Sequence, residues 1–183
     1  MLSLFFIYGV NSYMKTNETY WLTGLPCSGK TTVATELAKK IRELGYPVVQ
    51  LDGDDVRDRL CSDLGFDPED RKENLRRISH VCNICNENDI IVIASFVSPT
   101  DEIRLIPEEI IDTLNIVHIA TPLVVCENRD TKGMYKKARN GEIPNFTGVD
   151  APFEIPNNSD MELDASGKVE DAVKKLMKHF NIK

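Results

Sequence analysis

A glycine-rich segment near the amino terminus carries the residues best suited to chemistry. It reads GLPCSGKTT, residues 24–32, and matches the pattern G-x-x-x-x-G-K-[ST]. The glycines let successive backbone N–H groups point at phosphate oxygens, and a helix that begins at Lys30 adds its positive end. In this pattern the lysine reaches the β- and γ-phosphates, and the hydroxyl of Thr31 binds Mg²⁺. We therefore predict a site for ATP and Mg²⁺ at this segment, called the P-loop below. The predicted nucleotide-binding residues are Gly24, Leu25, Pro26, Cys27, Ser28, Gly29, Lys30, Thr31 and Thr32.

Carboxylates follow the second predicted strand, PVVQLDGDD, residues 47–55. At this position Asp52 can hold the Mg²⁺ shell, and Asp54 can accept the proton of an acceptor hydroxyl. Phosphoryl transfer requires mainly positioning and charge neutralisation, with modest help from a base. A D-G turn that merely closes the strand is the alternative. An acidic residue on each side of Gly53 favours the functional interpretation.

P-loops serve GTPases, ATPases and small-molecule kinases, and the rest of the sequence separates these classes. The N-K-x-D signature with which GTPases bind guanine is absent. The apolar strand IIVIASF, residues 90–96, does not end in the aspartate that a motor or AAA-type ATPase needs. A small-molecule kinase, in which the acceptor lies opposite the P-loop, fits best.

Residues suited to a nucleotide acceptor follow the second strand. Arg57 and Arg71, with Asn74, can hold an anion, because the planar guanidinium grips phosphate or sulfate with two hydrogen bonds. Phe66 and Phe146 lie near glycines and can hold a planar base, at ~1–3 kcal/mol per stacked ring. Taken alone, each phenylalanine is more often a core residue. Residues 129–148, RDTKGMYKKARNGEIPNFTG, combine basic side chains with glycines and predict a mobile lid that excludes water from the phosphates.

Composition limits the partners and the compartment. The 183 residues carry a formal charge of -7, which argues against a nucleic-acid partner. The apolar start MLSLFFIYGV is far below the ~20 residues that span a bilayer, so we expect no membrane partner. The odd number of cysteines, five, indicates reduced thiols and a cytoplasmic protein. Cys82 and Cys85 have C-x-x-C spacing but share one helical stripe, which favours core packing over a zinc or redox site.

The order of the predicted elements defines the fold class. Apolar runs that read as strands alternate with segments of helical periodicity, which predicts an α/β fold. We expect a parallel five-stranded sheet with helices on both faces, in a domain of residues 20–183 that follows an extension at 1–19. The predicted strands are 19–24, 47–55, 89–97, 115–121 and 161–166; the predicted helices are 30–44, 71–87, 108–114, one from 122, and 169–180. Because ligands of such sheets bind beyond the carboxyl ends of the strands, chemistry is expected there.

Together these motifs resemble the adenylylsulfate (APS) kinase family. The resemblance covers about residues 20–183 and rests on GLPCSGKTT, LDGDDVR, LGF followed by DRKENLRRI, SFVSP, and ENRDTKGMYKKARNGEIPNFTGVDAPFEIP. It implies a P-loop kinase that transfers the γ-phosphate of ATP to the 3′-hydroxyl of adenosine 5′-phosphosulfate, giving PAPS. It also implies a homodimer.

The resemblance assigns residues to roles. Asp54 approaches the 3′-hydroxyl, and Arg129 lies against the ATP adenine. Lys30, Asp54 and Ser98 are the implied catalytic residues, and Thr31 and Asp52 the metal ligands. Ser98 is tied in the family to a phosphoserine intermediate, but a hydrogen bond to the acceptor is the simpler role, since nothing near it in sequence supplies an activating base. The implied acceptor-binding residues are Asp52, Asp54, Arg57, Phe66, Arg71, Asn74, Val97, Ser98, Lys132, Asn145 and Phe146.

Two departures from the family pattern leave the acceptor open. DGDDVRDRL places Asp55 and Asp58 beside the arginines, and SPTDEIR lacks the usual aromatic residue and adjacent arginine. A second hypothesis is therefore the same 3′-kinase chemistry on another nucleoside 5′-anhydride, such as cytidine 5′-diphosphoramidate in capsule phosphoramidate synthesis. A third, from another class, is a nucleotide-sensing module without catalysis, although Lys30, Thr31 and Asp54 are intact.

Overall fold

The computed structural model describes residues 15–183, in which strands alternate with helices. The strands are β1 (Thr19–Thr23), β2 (Val48–Asp52), β3 (Ile91–Ser95), β4 (Leu114–Ile119) and β5 (Met161–Leu163). The helices are α1 (Lys30–Glu43), α2 (Gly53–Asp58), α3 (Pro68–Glu87), α4 (Asp101–Ile110), α5 (Leu123–Asn128), α6 (Met134–Arg139) and α7 (Val169–His179). The predicted extension falls mostly on residues 1–14, outside the described residues.

The five strands form one sheet in the order β2-β3-β1-β4-β5, and every pair is parallel. The predicted sheet is therefore confirmed. Strand β1 lies in the centre, so the P-loop that follows it lies between the carboxyl ends of β3 and β4. Asp52 at the end of β2 is in register with Ser95 at the end of β3. Polar residues at the ends of neighbouring strands therefore lie together at the carboxyl end of the sheet.

Helices cover both faces of the sheet, as predicted. Successive residues of a strand point to opposite faces. Accordingly Tyr20 and Leu22 of β1 pack in one core with residues of α1 and α7. Trp21 packs in a second core with residues of α2, α3 and α4. Cys82 is buried in that second core, and Cys85 packs against it, so the core interpretation of the C-x-x-C pair is confirmed. All five cysteines are free.

Helix α4 differs from its prediction, which was residues 108–114. It begins at Asp101, where the side chain of Thr100 accepts a hydrogen bond from the Ile103 N–H (3.3 Å), and ends at Ile110. The prediction was wrong because it began the helix only after Pro107 and did not include the cap at Thr100. The helix contains Pro107 and buries Ile103 on the sheet, so tertiary packing outweighs the missing N–H.

Two other boundaries were also misplaced. The second strand was predicted to run through Asp55, but it ends at Asp52, whose carboxylate caps α2 by accepting from the Asp54 N–H (3.0 Å). Helix α3 begins at Pro68 and not at Arg71, because Asp67 caps it and proline suits a first helical position. With these boundaries, Asp54 lies in the first turn of α2 and Arg71 lies near the start of α3.

Candidate active site

The P-loop backbone turns tightly, in a conformation and at a packing distance that glycine allows. Gly24 has φ 155°, and a Cβ there would lie 2.7 Å from the carbonyl oxygen of Ile119. Gly29, just before α1, has φ 99°. The end of β4 supports the loop, because the Thr121 hydroxyl donates to the Ser28 carbonyl (2.7 Å). The loop therefore has the close backbone curvature that phosphate binding requires.

Lys30 is held inside the loop. Its Nζ donates to the carbonyl oxygens of Gly24 (2.9 Å) and Leu25 (2.7 Å), and the residue is 8% exposed. Burial lowers the pKa of Lys30 to about 8, against weaker opposing effects of Cys126 and Asp52. The ammonium is thus poorly solvated and positioned where phosphates would bind.

This environment predicts that nucleotide affinity depends on pH. The free protein has a Lys30 pKa of about 8, and bound phosphates raise that pKa. At a pH between the pKa values of the free and the bound protein, nucleotide binding therefore takes up one proton. In that range the affinity for nucleotide falls about tenfold per pH unit as the pH rises. Calorimetric titration with AMPPNP from pH 7 upward, in buffers of different protonation enthalpy, measures both effects. Lys30→Arg serves as control, since arginine keeps its proton. A wild-type affinity that does not change with pH would contradict this assignment.

The predicted metal ligands lie side by side. The Thr31 hydroxyl donates to Oδ2 of Asp52 (2.7 Å), and the Ser95 hydroxyl donates to the same oxygen (2.8 Å). Mg²⁺ prefers hard oxygen donors, keeps several waters, and uses one or two protein ligands together with substrate phosphates. Residues 15–183 hold no group of three or more His, Cys, Asp or Glu that could bind a metal. The pair Thr31 and Asp52 therefore fits a magnesium ion held mainly by phosphate and water.

Asp54 and Lys132 connect α2 with the predicted lid. Lys132 Nζ lies 2.8 Å from Oδ2 of Asp54, and their side chains are 72% and 79% exposed. The hydrogen bond to Asp54 raises the pKa of Lys132. Asp54 lies in the first turn of α2, two residues after the predicted metal ligand Asp52, and its carboxylate is exposed.

Two arginines of the predicted acceptor site, Arg57 and Arg71, lie near each other without a salt bridge in residues 15–183. The Arg57 guanidinium lies over the Phe66 ring, 4.4 Å from its centroid, and Arg71 Nε donates to the Phe66 carbonyl (2.8 Å). Burial, and then repulsion from Arg71, lowers the pKa of Arg57. Within residues 15–183 neither arginine forms a salt bridge. The Asp70 carboxylate acts on Arg57 without forming a salt bridge, and two adjacent cations without a direct ion pair can attract an anion.

Arg71 connects the segment of the second aromatic residue, Phe146, to that of the first. Arg71 also donates to the Asn145 carbonyl (3.4 Å), which links the Phe66 and Phe146 segments. The Asp150 carboxylate accepts from the N–H groups of Asn145 (2.7 Å) and Phe146 (2.6 Å). Asn74 is 3% exposed on α3, and its Oδ1 has no hydrogen-bond partner in the described part of the chain. A ligand group that donates a hydrogen bond would satisfy that oxygen, whereas an anion would bind the amide Nδ2 of Asn74.

Ser98 is fixed by its neighbours. It is buried, with φ 41°, and its Oγ accepts from Nε1 of Trp21 (3.1 Å). Its carbonyl accepts from the buried Arg104 (2.6 Å), and the preceding Val97 carbonyl accepts from the Thr23 hydroxyl (2.7 Å). No side-chain base among residues 15–183 accepts from the Ser98 hydroxyl. The hydroxyl can therefore donate to a ligand but is not activated as a nucleophile.

A cavity of about 410 Å³ lies against the P-loop and α1. Arg129 lines it and is anchored by donating to the Ser166 carbonyl (2.8 Å). Ala165, Gly167 and Val169 form the opposite wall, and the sequence analysis did not include them. They follow the carboxyl end of β5. Ligands of parallel sheets bind beyond the carboxyl ends of the strands, and this expectation, applied to the last strand, points to these residues. The cavity has the position and size for the base of a nucleotide whose phosphates lie on the P-loop.

Comparisons with known proteins agree with this geometry. The family model for adenylylsulphate kinase matches residues 16–164. An adenylyl-sulfate kinase from Halothermothrix orenii is 48% identical over 166 residues, which cover 90% of each chain.

Solved structures add the fold and the ligands of relatives. An APS kinase from Mycobacterium tuberculosis, in complex with AMPPNP and APS, superposes with a TM-score of 0.85 at 39% identity, covering 90% of this chain and 97% of its own. A hexameric APS kinase from Thiobacillus denitrificans has a TM-score of 0.67 at 27% identity, and the match covers 89% of this chain and 28% of that one. A relative's assembly is thus hexameric, where the sequence analysis expected a dimer.

Proposed function

The chain belongs to the adenylylsulphate kinase family, and we propose that it transfers the γ-phosphate of ATP to the 3′-hydroxyl of APS, giving PAPS. One observation carries the proposal most directly. The P-loop holds its lysine in place, and α2 carries both Asp54 and Arg57, which lies over the Phe66 ring near Arg71. A kinase for an acceptor with its own 5′ anion needs this arrangement, because phosphoryl transfer depends on positioning and charge neutralisation.

On the nucleotide side, the P-loop N–H groups and Lys30 hold the triphosphate, while Arg129 contacts the adenine in the cavity beside α1. Thr31 and Asp52 would hold Mg²⁺, which neutralises charge on the β- and γ-phosphates when bound. Residues 129–148 act as the lid. The Lys132 contact with Asp54 gives that lid a cation over the reacting phosphate.

On the acceptor side, Asp54 accepts the proton of the 3′-hydroxyl as the oxygen attacks phosphorus. Arg57, Arg71 and Asn74 bind the 5′ phosphosulfate. Phe66 and Phe146 hold the adenine, and Asn145, Val97 and Ser98 complete the pocket with backbone and hydroxyl groups.

The setting of the reaction follows from the same features. Five free thiols suit a reducing cytoplasm. No helix among the described residues is long and apolar enough to cross a membrane. We further propose a homodimer, which light scattering or sedimentation of the purified chain would test.

Ser98 is proposed to donate a hydrogen bond to the acceptor and not to carry the phosphate. We expect Ser98→Ala to lower kcat/KM for APS by about 10- to 100-fold, the effect of one lost polar contact in the transition state. Ser79→Ala is the matched control, because Ser79 is also buried but its hydroxyl donates to the Leu75 carbonyl within α3 (2.8 Å). Loss of all turnover in a folded Ser98→Ala protein, with radiolabel from ATP retained on the wild-type chain, would instead establish a phosphoserine intermediate.

The proposed activity is tested by incubating the purified protein with Mg²⁺, ATP and APS and identifying the products. We expect one ADP for each APS consumed, and a product phosphorylated at the 3′ position. Binding of nucleotide without any acceptor-dependent ADP would contradict the kinase function and favour a sensing module.

A further inference from the structure

Tyr135, on α6 of the lid, contacts both halves of the site. Its hydroxyl donates to the carbonyl of Pro26 in the P-loop (2.9 Å). Its ring packs edge-on against Phe146, with 5.0 Å between centroids. The residue is 2% exposed, and burial raises the pKa of its hydroxyl, so the hydroxyl keeps its proton and remains a donor.

The surroundings hold Tyr135 firmly in this position. The Asp130 carboxylate accepts from the N–H groups of Met134 (2.9 Å) and Tyr135 (2.7 Å), which fixes the start of α6. Gly148 packs so closely that a Cβ there would lie 2.8 Å from Leu25 Cδ2 and 3.8 Å from the Tyr135 ring. Lid helix, P-loop and Phe146 segment therefore pack as one unit, and a shift of one displaces the others.

We propose that Tyr135 is a positioning residue that ties the acceptor-binding Phe146 to the P-loop, so that bound nucleotide strengthens acceptor binding. The inference rests on the proposed function for the identity of the two ligands. Tyr135 touches neither ligand in this account and acts through Pro26 and Phe146. Its hydroxyl carries the link to the P-loop, and its ring carries the link to Phe146.

The variant Tyr135→Phe isolates the hydroxyl, because it keeps the ring against Phe146. Tyr20→Phe is the matched control: Tyr20 is also buried and its hydroxyl donates to Glu18 (2.7 Å), but it packs in the core with α1 and α7. The affinity for APS is measured by calorimetry with and without saturating AMPPNP. In wild type and in Tyr20→Phe, AMPPNP should raise APS affinity at least about fivefold; in Tyr135→Phe the ratio should fall below about twofold.

The ratio of the APS affinities with and without AMPPNP separates positioning from general damage to the fold. A merely structural loss lowers the melting temperature or both APS affinities, and leaves the ratio of the two affinities unchanged. An unchanged ratio in Tyr135→Phe overturns the inference, and so does a wild-type ratio near one. If APS fails to bind wild type in either condition, the proposed acceptor is wrong.

A second measurement needs no acceptor and decides the inference even in that last case. Hydrogen exchange is followed in residues 24–32 and 144–149 with and without AMPPNP. We expect AMPPNP to slow exchange in both segments of wild type and of Tyr20→Phe, but only in residues 24–32 of Tyr135→Phe. Equal slowing of residues 144–149 in Tyr135→Phe and wild type would overturn the proposal.

Discussion

Replacing Lys30 with methionine will lower kcat/KM for ATP by about 10³-fold or more, the largest effect expected of any single change here. The lysine already lies within the P-loop, bonded to Gly24 and Leu25, and methionine keeps most of its buried stem. The change therefore removes the charge that stabilises the transferring phosphoryl group while leaving packing nearly intact. Steady-state kinetics with APS measure the loss.

Lys39→Met is the matched control for that change. Lys39 lies on the same helix, with its side chain 62% exposed and 3.9 Å from Glu36. The kinetic constants of the Lys39→Met variant should stay within about twofold of those of the wild type. Turnover by Lys30→Met at a rate near wild type would remove the lysine from the mechanism, and equal melting temperatures of the variants would show that folding is not responsible.

Replacing Asp54 with asparagine will lower kcat by about 10²- to 10⁴-fold, the range for loss of a positioned general base. Asparagine keeps the shape of the side chain but accepts no proton and no longer pairs with Lys132 as an ion. Because the side chain is 79% exposed, the change should leave the melting temperature unaltered. ATP affinity should change little, because the proposed role of Asp54 is toward the acceptor.

Asp112→Asn controls for charge alone, because Asp112 is exposed between α4 and β4, away from the carboxyl edge of the sheet. A kcat for Asp54→Asn within about threefold of that control would mean that positioning alone drives the transfer and that no base is needed.

The fold and the nucleotide half of the site were predictable because their signals are local. A P-loop pattern between a strand and a helix determines where Lys30 and Thr31 lie, and parallel pairing brings Asp52 beside them. The start of α4 was missed because the predicted helix began only at residue 108, whereas Thr100 caps a helix that contains Pro107.

Side-chain partners distant in sequence were not predictable in this way. The basic segment RKENLRR gave no sign that Arg77 pairs with Asp63, 14 positions away, while Arg71 forms no salt bridge in residues 15–183. The contact of Tyr135 with Pro26, 109 positions apart, has no sequence pattern of its own. Such contacts depend on the assembled sheet, which sets the elements side by side.

The acceptor is the central claim, and one comparison tests it most directly. The purified protein with Mg²⁺ and ATP is given APS or cytidine 5′-diphosphoramidate, and kcat/KM is measured for each. We expect APS to be preferred by at least about 10²-fold, as for a site built around that substrate. A preference of that size for the cytidine compound would contradict the account and direct attention to Asp55, Asp58 and the SPTDEIR segment as the residues that changed the acceptor.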